Sequence, residues 1–173
     1  MTEKQEKILK AGLELFAAEG FHATSTSKVA KRAGVSEALI FRHFESKEGL
    51  LTAILEEGKE KAQILFSEII EELDPKEQIR KILTLPFKID PEDYEMWRLI
   101  YALKWQTQQY QATKMEPLKH SLAKAFSRLK YANPYAEAEI ILMVMNGAAT
   151  ALIFHEPDNK KEILEALVDK YNL

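Results

Sequence analysis

STSKVAKRAGVSEALIFRHFESK, residues 25–47, is the most informative stretch of this 173-residue chain. Hydroxyl residues at its start favour the N-cap of a short helix, in which Val29 and Ala30 are expected to be buried. Gly34 is suited to the left-handed backbone conformation in which many helices end. The stretch therefore predicts a short helix that stops at a glycine turn.

A second short helix is predicted after that turn. Ser36 is suited to its N-cap, and Ile40 and Phe44 lie four residues apart, so they share the face that can pack inward. The other face carries Glu37, Leu39, Arg42 and His43. Two short helices joined by a glycine-containing turn predict a helix-turn-helix unit, whose second helix lies in the DNA major groove.

The distribution of charge supports a local nucleic-acid interface. The whole chain has a net charge of −3, whereas residues 22–47 contain five basic and two acidic residues, or +3, which leaves −6 for the rest. A basic patch on an acidic body suits a site-specific DNA-binding protein, because only one surface attracts phosphate. On charge alone, an ordinary solvated helix face explains the pattern equally well.

Composition limits the other classes of protein. The absence of cysteine excludes disulfides and thiolate metal sites. Glu116 and His120 are spaced for a shared metal, but no third ligand follows at suitable spacing, so a surface pair is expected and no metal site. The chain contains no catalytic triad register, P-loop, dinucleotide fingerprint or HExxH motif, so we expect neither an enzyme nor a cofactor.

A cytoplasmic location is expected. The N-terminal residues MTEKQEKILK are too polar and charged for a secretory signal. The longest apolar run, residues 140–154, contains Asn146 and is shorter than the roughly 20 residues that a membrane span requires.

The remaining sequence predicts helices and no strands. Apolar residues recur with a helical period before Gly20, and a long helix is expected from Lys47 to the Asp-Pro pair at 74–75. Asp-Pro or Asn-Pro pairs at 74–75, 90–91 and 133–134 mark later helix starts. We therefore expect an all-α fold of about nine helices, with one domain over residues 1–46 and a second over 47–173.

A family resemblance rests on residues in fixed register between Ile8 and Leu51. The matching positions are Gly20-Phe21, Ala23-Thr24-Ser25, Val29-Ala30, Ala33-Gly34-Val35-Ser36, Ile40-Phe41, His43-Phe44 and Lys47. This segment resembles the DNA-binding domain of the tetracycline-repressor (TetR) family of bacterial transcription regulators. The resemblance implies a homodimer on a palindromic operator, with a C-terminal helical domain that binds an effector and joins the two subunits.

The resemblance also implies roles for individual residues. Ser25, Thr26 and Ser27 match positions that contact phosphates, as do His43 and Lys47, with capping alone as the alternative for the hydroxyls. Ser36 begins the second helix of the helix-turn-helix, the reading helix that lies in the major groove. In it, Glu37, Ala38 and Leu39 match positions that face bases. Glu37 can accept from a cytosine amine, Leu39 can contact a thymine methyl or belong to the core, and Arg42 can reach phosphate or guanine. Phe41 stands where many members have Tyr, and Ala38 replaces a frequent Gly.

Candidate effector-binding residues lie in the C-terminal part. Trp97, Tyr101 and Trp105 recur every four residues and share a face, which suits either a core or a pocket. An effector pocket should be mostly apolar with a few polar anchors. The candidate lining residues are Phe66, Phe87, Met96, Trp97, Tyr101, Trp105, Phe126, Met143 and Asn146. The Asn146 amide requires a partner, and a hydrogen bond within the fold is favoured over a bond to ligand.

The sequence thus predicts a DNA-binding transcription regulator, as a repressor released from its operator by a small, largely apolar ligand. The small residues Gly147, Ala148, Ala149 and Ala151 and the stripe at 163–171 favour dimerisation through the last two helices. The alternative is a helical carrier of small molecules or lipids without a DNA-binding role.

Overall fold

The structure, a computed structural model, describes residues 1–104, 115–155 and 157–173. The described residues form nine α-helices and no strand, which confirms the predicted all-α class. The helices are α1 (Glu3–Glu19), α2 (Thr26–Ala33), α3 (Glu37–Phe44), α4 (Lys47–Ile70), α5 (Pro75–Thr84), α6 (Tyr94–Lys104), α7 (Glu116–Arg128), α8 (Pro134–Phe154) and α9 (Lys160–Lys170). Short 3-10 turns at Leu85–Lys88 and Pro91–Asp93 lie between α5 and α6.

The turn between α2 and α3 has the predicted chemistry. The Ser25 hydroxyl accepts a hydrogen bond from the backbone N–H of Lys28 at 3.2 Å and so caps α2. Gly34 takes the left-handed conformation, with φ 67° and ψ 35°, and its N–H bonds to carbonyls of the preceding turn. Ser36 occupies the N-cap position of α3, but its side chain makes no capping hydrogen bond. The helix-turn-helix geometry therefore depends on the glycine more than on Ser36.

The turn between α3 and α4 is tighter still. The Ser46 hydroxyl accepts from the N–H of Gly49 at 2.9 Å and caps the start of α4. A Cβ on Gly49 would lie 1.9 Å from the carbonyl oxygen of Phe44, so only glycine fits this position. These local contacts set the path of the chain from α3 into α4.

The first packing unit comprises residues 1–62 and the described part of 92–107. Its core joins the helix-turn-helix to α6, which comes some fifty residues later in the chain. The fully or nearly buried residues are Ile8, Leu9, Ala11, Phe16, Val29, Ala30, Ile40, Leu50, Ile54, Met96, Leu99 and Leu103. Helix α6 therefore belongs to the same hydrophobic core as the supporting helix α1.

The second unit comprises residues 63–91 and the described part of 108–173. Its core is formed mainly by α5, α7 and α8, with Phe126 and Ile141 fully buried. The buried Gln78 side chain donates to the Ile69 carbonyl at 2.7 Å and to the Ser121 hydroxyl at 2.8 Å, which links the end of α4 to α7. These two units are groups of residues that pack together. They do not correspond to the domains expected from the sequence, which divide the chain between residues 46 and 47, and that expectation stays a prediction.

Several element boundaries differ from the sequence expectation. Asp74 caps α5 as predicted, accepting from the N–H of Glu77 at 2.8 Å. The pair Asp90-Pro91 instead leads into a 3-10 turn, and α6 begins only at Tyr94. Asn133 precedes α8 without a side-chain capping bond. Proline therefore marked the region of each helix start correctly, whereas the predicted side-chain capping bond forms at Asp74 and not at Asn133.

Helix α8 is longer than the apolar run in the sequence suggested. Its 21 residues reach the length and hydropathy of a membrane-spanning helix, and 39% of its most apolar 18-residue window is buried inside the protein. The buried residues Ala138, Ile141, Leu142 and Met145 pack in the core with α7. Length and composition alone are weak evidence for a membrane span, and this packing is that of a core helix.

Candidate nucleic-acid interface

Helix α3 presents one exposed face and one buried face. Ile40 is fully buried, and Leu39 is half-buried against the same core. The structure therefore gives Leu39 part of the core role that the sequence left open. The exposed residues at and after the start of the helix are Ser36, Glu37, Ala38, Phe41 and Arg42.

The start of α2 lies beside the start of α3. Ser25 and Ser27 are exposed, whereas Thr26 is half-buried. The Thr26 hydroxyl donates to the Glu37 carboxylate, with 2.6 Å between Oγ1 and Oε1. Two residues selected separately from the sequence are thus hydrogen-bonded across the helix-turn-helix, eleven positions apart.

Thr24 has a structural role, and the sequence alone did not distinguish it from the hydroxyl residues that follow it. Its side chain is 1% exposed and donates to the Gly20 carbonyl at 3.0 Å, with the Leu15 carbonyl at 3.4 Å. A buried hydroxyl of this kind stabilises the α1–α2 turn and is not accessible to phosphate.

The basic residues of the helix-turn-helix fall into two groups. Lys28 pairs with Glu19 at 2.5 Å, and both Nε and Nη2 of Arg32 bond to Glu14 Oε2, at 2.9 and 2.7 Å. Two of the five basic charges counted in the sequence are therefore offset by carboxylates of α1. Lys31 and Arg42 are exposed, and within the described ranges no carboxylate lies at ion-pair distance from them. The cations able to attract an outside anion are fewer than the sequence indicates.

Lys47 holds the α1–α2 turn against the start of α4. Its ammonium donates to the carbonyls of Phe21 and Thr24 at 2.8 and 2.9 Å and lies 4.4 Å from the centroid of the Phe21 ring. Two of the three N–H donors are thus used inside the protein. His43 is half-buried beside Phe44, with ring centroids 6.3 Å apart.

The candidate effector-binding residues are divided between the two packing units. Met96, Trp97 and Tyr101 lie on α6 in the first unit, where Met96 is 3% exposed and the other two are half-buried. Trp105 lies outside the described residues. The members in the second unit are Phe66, Phe87, Phe126, Met143 and Asn146.

Within the second unit these residues have different surroundings. Phe126 is fully buried in the core, with the Tyr131 ring at a centroid distance of 5.0 Å. Met143 is 64% exposed on the outside of α8. Asn146 Nδ2 donates to the Leu142 carbonyl at 2.8 Å, so the amide has the partner within the fold that the sequence argument favoured.

Helices α8 and α9 leave apolar surface uncovered in the second unit. Apart from Tyr135, the exposed apolar residues of α8 recur at intervals of three, four or seven and form one face, which we call the α8 stripe: Ala136, Ile140, Met143, Gly147 and Phe154. Helix α9 contains no buried residue, and Ile163, Leu164, Leu167 and Val168 are only half-buried. Ala149, one of the small residues predicted at a dimer contact, instead faces the core at 2% exposure.

Comparison with known sequences supports the N-terminal interface. Residues 8–54 match the family model described as bacterial regulatory proteins, tetR family. The uncharacterized HTH-type transcriptional regulator YerO of Bacillus subtilis is 31% identical over 126 residues, which is 62% of this chain and 44% of that protein. The match thus spans less than half the length of this relative.

Solved structures resemble this chain over almost its whole length. The TetR family transcriptional regulator PfmR of Thermus thermophilus has a TM-score of 0.74 and 21% identity, covering 99% of this chain and 96% of that one. AibR, in complex with isovaleryl coenzyme A and operator DNA, has a TM-score of 0.72 and 19% identity, covering 97% of both chains. At these identities the likeness establishes the fold.

Proposed function

We propose that this chain, whose residues 8–54 match the family model described as bacterial regulatory proteins, tetR family, is a sequence-specific DNA-binding transcription regulator. In the proposed function it is a cytoplasmic, non-enzymatic repressor that a small, largely apolar ligand releases from its operator. The observation that carries the proposal is the two-sided α3, which has Ile40 buried and Glu37, Ala38 and Arg42 exposed. A reading helix requires this division between a fixed inner face and an accessible outer face.

The proposed contacts divide between bases and backbone. Glu37 accepts from a cytosine amine, Arg42 reaches guanine or phosphate, and the exposed part of Leu39 contacts a thymine methyl. The backbone-contacting residues are Ser25, Ser27, His43 and Lys47, of which Lys47 retains one N–H beyond its two bonds to carbonyls. Phe41 is exposed and lacks a hydroxyl, so it contributes only its ring.

The proposed active form is a two-fold dimer. The α8 stripe and the half-buried apolar residues of α9 supply uncovered surface at the predicted place. A two-fold interface uses the same patch on both subunits, and it matches the two half-sites of a palindrome one helical turn apart.

The proposed release by ligand is a shift between two dimer geometries. To weaken operator binding about 100-fold, a ligand must prefer the released geometry by roughly 2.7 kcal/mol. Transmission through α4 is supported by its first turn, in which Gly49 packs against the Phe44 carbonyl of α3 and Lys47 bonds to the α1–α2 turn. Helix α6 provides a second route, because Met96 shares a core with Ile8 of α1.

The first test is the selection of bound fragments from genomic DNA by the purified protein, followed by footprinting. The expected product is a palindromic site whose half-site centres are about 10 base pairs apart. Affinity for it should fall by orders of magnitude between about 50 and 200 mM salt, because bound phosphates release counterions. A helical carrier would retain no DNA and would bind an apolar ligand almost independently of salt, which would contradict the proposal.

The effector is tested on the same site. The AibR complex contains isovaleryl coenzyme A together with operator DNA, so the first panel of compounds pairs small apolar molecules with short-chain acyl coenzyme A thioesters, in which only the acyl group is apolar. A compound that binds the purified protein and leaves operator affinity unchanged would contradict release by that ligand.

A further inference from the structure

The hydrogen bond between Thr26 and Glu37 connects the first turns of the two helices in the helix-turn-helix. Thr26 is the first residue of α2, and Glu37 is the first residue of α3. The 2.6 Å separation of Oγ1 and Oε1 lies in the short range of a hydroxyl bonded to a carboxylate. A threonine hydroxyl is well suited to this contact, because its branched side chain has few χ1 conformations.

The bond leaves part of the Glu37 carboxylate available. A carboxylate has two oxygens and about four acceptor positions, of which the Thr26 hydroxyl occupies one. The side chain remains exposed beside Ala38 on the outer face of α3. Glu37 is thus an oriented acceptor, whereas an exposed glutamate usually moves among many rotamers.

An acidic side chain at a DNA interface has few favourable positions. Phosphate repels it, while an amino group at the edge of a base can donate to it. In the major groove the exocyclic amine of cytosine is the donor that pairs with glutamate. A carboxylate that a hydrogen bond already holds in one position loses less rotamer freedom when it meets that amine.

We propose that Thr26 is a positioning residue for sequence reading: its hydroxyl orients the Glu37 carboxylate so that the second oxygen accepts from a cytosine amine in each half-site. This inference rests on the proposed DNA-binding function. It assigns Thr26 a task different from a phosphate contact, because its effect falls on one base pair and acts through Glu37.

The test compares full-length variants by selection from a random duplex library. Glu37→Gln identifies the base pair that Glu37 reads, as the position where the cytosine preference of the native protein disappears. Thr26→Val and Thr26→Ala remove the hydroxyl, and Thr26→Ser retains it. The measured quantity is the ratio of dissociation constants for the selected site and a site with T·A in place of C·G at that position.

The native protein should favour cytosine by about 10-fold or more. Thr26→Val and Thr26→Ala should lose most of that preference while the salt dependence and the preferences at other positions stay unchanged. Thr26→Ser should retain the cytosine preference within about twofold, because serine keeps the hydroxyl that donates to Glu37. In a Glu37→Gln background, removal of the hydroxyl should have no further effect on the ratio.

Other outcomes overturn the inference. An equal loss of affinity for all sites in Thr26→Val would assign Thr26 to phosphate contact or capping. Unfolding of both hydroxyl-free variants, seen by circular dichroism, would assign the hydroxyl to the fold, and an unchanged site in Glu37→Gln would remove Glu37 from reading. If the native protein selects no sequence at all, the proposed function itself fails. If it selects a site that Thr26→Val reads equally well, the proposed function stands and only the role of Thr26 fails.

Discussion

At the scale of single residues, side chains of the same type in the helix-turn-helix make different contacts. Arg32 and Arg42 are both exposed arginines, yet Arg32 bonds to Glu14 through two nitrogens, and Arg42 has no carboxylate at ion-pair distance among the residues described. A guanidinium that is already paired with a carboxylate of the protein attracts an outside anion less strongly than one that faces only solvent. The two residues therefore form a matched pair for mutagenesis.

Arg42→Ala should weaken operator binding and lower the slope of log affinity against log salt by about 1 if Arg42 contacts phosphate. If it contacts guanine, the loss should fall on one base pair, by roughly 1–3 kcal/mol. Both results are measured by fluorescence anisotropy over a series of salt concentrations.

Arg32→Ala is the control for that variant. It removes an exposed ion pair, so the free energy of unfolding should fall by only about 0–1 kcal/mol, with little change in DNA affinity. Equal losses of DNA affinity in the two variants would contradict the division between paired and unpaired arginines.

At the scale of elements, the start of α4 is the joint between the reading helix and the rest of the first unit. Gly49 allows the Phe44 carbonyl to approach α4, and Ser46 caps the helix. Lys47 closes the joint from the other side through the carbonyls of Phe21 and Thr24. A displacement of α4 would consequently disturb both the end of α3 and the α1–α2 turn.

Lys47→Met should lower the free energy of unfolding by about 1–3 kcal/mol, because it keeps most of the aliphatic stem and leaves two partly buried carbonyls without their charged donor. The measurement is denaturation by urea. The same variant should bind all DNA sequences more weakly, in equal proportion, if the remaining N–H contacts phosphate.

Lys31→Met provides the matched control on α2, where the lysine is exposed. Its free energy of unfolding should stay within about 0.5 kcal/mol of the native value. If the free energy of unfolding of Lys47→Met also stays within that range, the bonds to the α1–α2 turn contribute little to stability, and Lys47 acts on DNA alone.

At the scale of the whole molecule, the proposed assembly depends on apolar surface that one chain leaves uncovered. The α8 stripe follows one face of the helix from Ala136 to Phe154, and α9, the next helix in the sequence, has no buried residue. Exposed apolar faces of this kind mark interaction surfaces in soluble proteins. A second copy of the chain is the occupant that a palindromic operator requires.

Met143→Glu should weaken the dimer by about 100-fold or more, since an unpaired carboxylate buried at an interface costs roughly 3 kcal/mol. Sedimentation analysis should show monomers, and operator affinity should fall with dimerisation. The fold should persist, because the Met143 side chain is 64% exposed in the single chain.

Leu73→Glu is the control for charge at an exposed apolar position, since Leu73 is 82% exposed just after α4. This variant should remain dimeric. A dimeric Met143→Glu variant would place the interface elsewhere.

Local features of the fold were predictable from the sequence because they depend on residues close together in the chain. Ser25, Gly34 and Asp74 each act within one helical turn, through a capping bond or a left-handed backbone. The same argument placed Asn133 near a helix start, but its capping bond does not form, since local preference is easily overridden by the path of neighbouring segments.

The inner face of the helix-turn-helix was predictable from the sequence, whereas the contacts between its side chains were not. Periodicity indicated that Ile40 faces inward, but no spacing rule connects Thr26 to Glu37 or Arg32 to Glu14, which are 11 and 18 positions apart. Counting charges along the chain likewise overstated the number of cations without an ion-pair partner, because the compensating carboxylates belong to α1.

The sequence by itself determined the all-α class, the helix-turn-helix and its glycine turn, since periodicity, capping and left-handed glycine are properties of short segments. Only the tertiary structure decided that Thr26 holds Glu37, that Lys47 closes the α1–α2 turn, and that α6 completes the core around Ile8 and Ile54. Each of these contacts joins residues far apart in the chain, and their meeting depends on how whole helices pack.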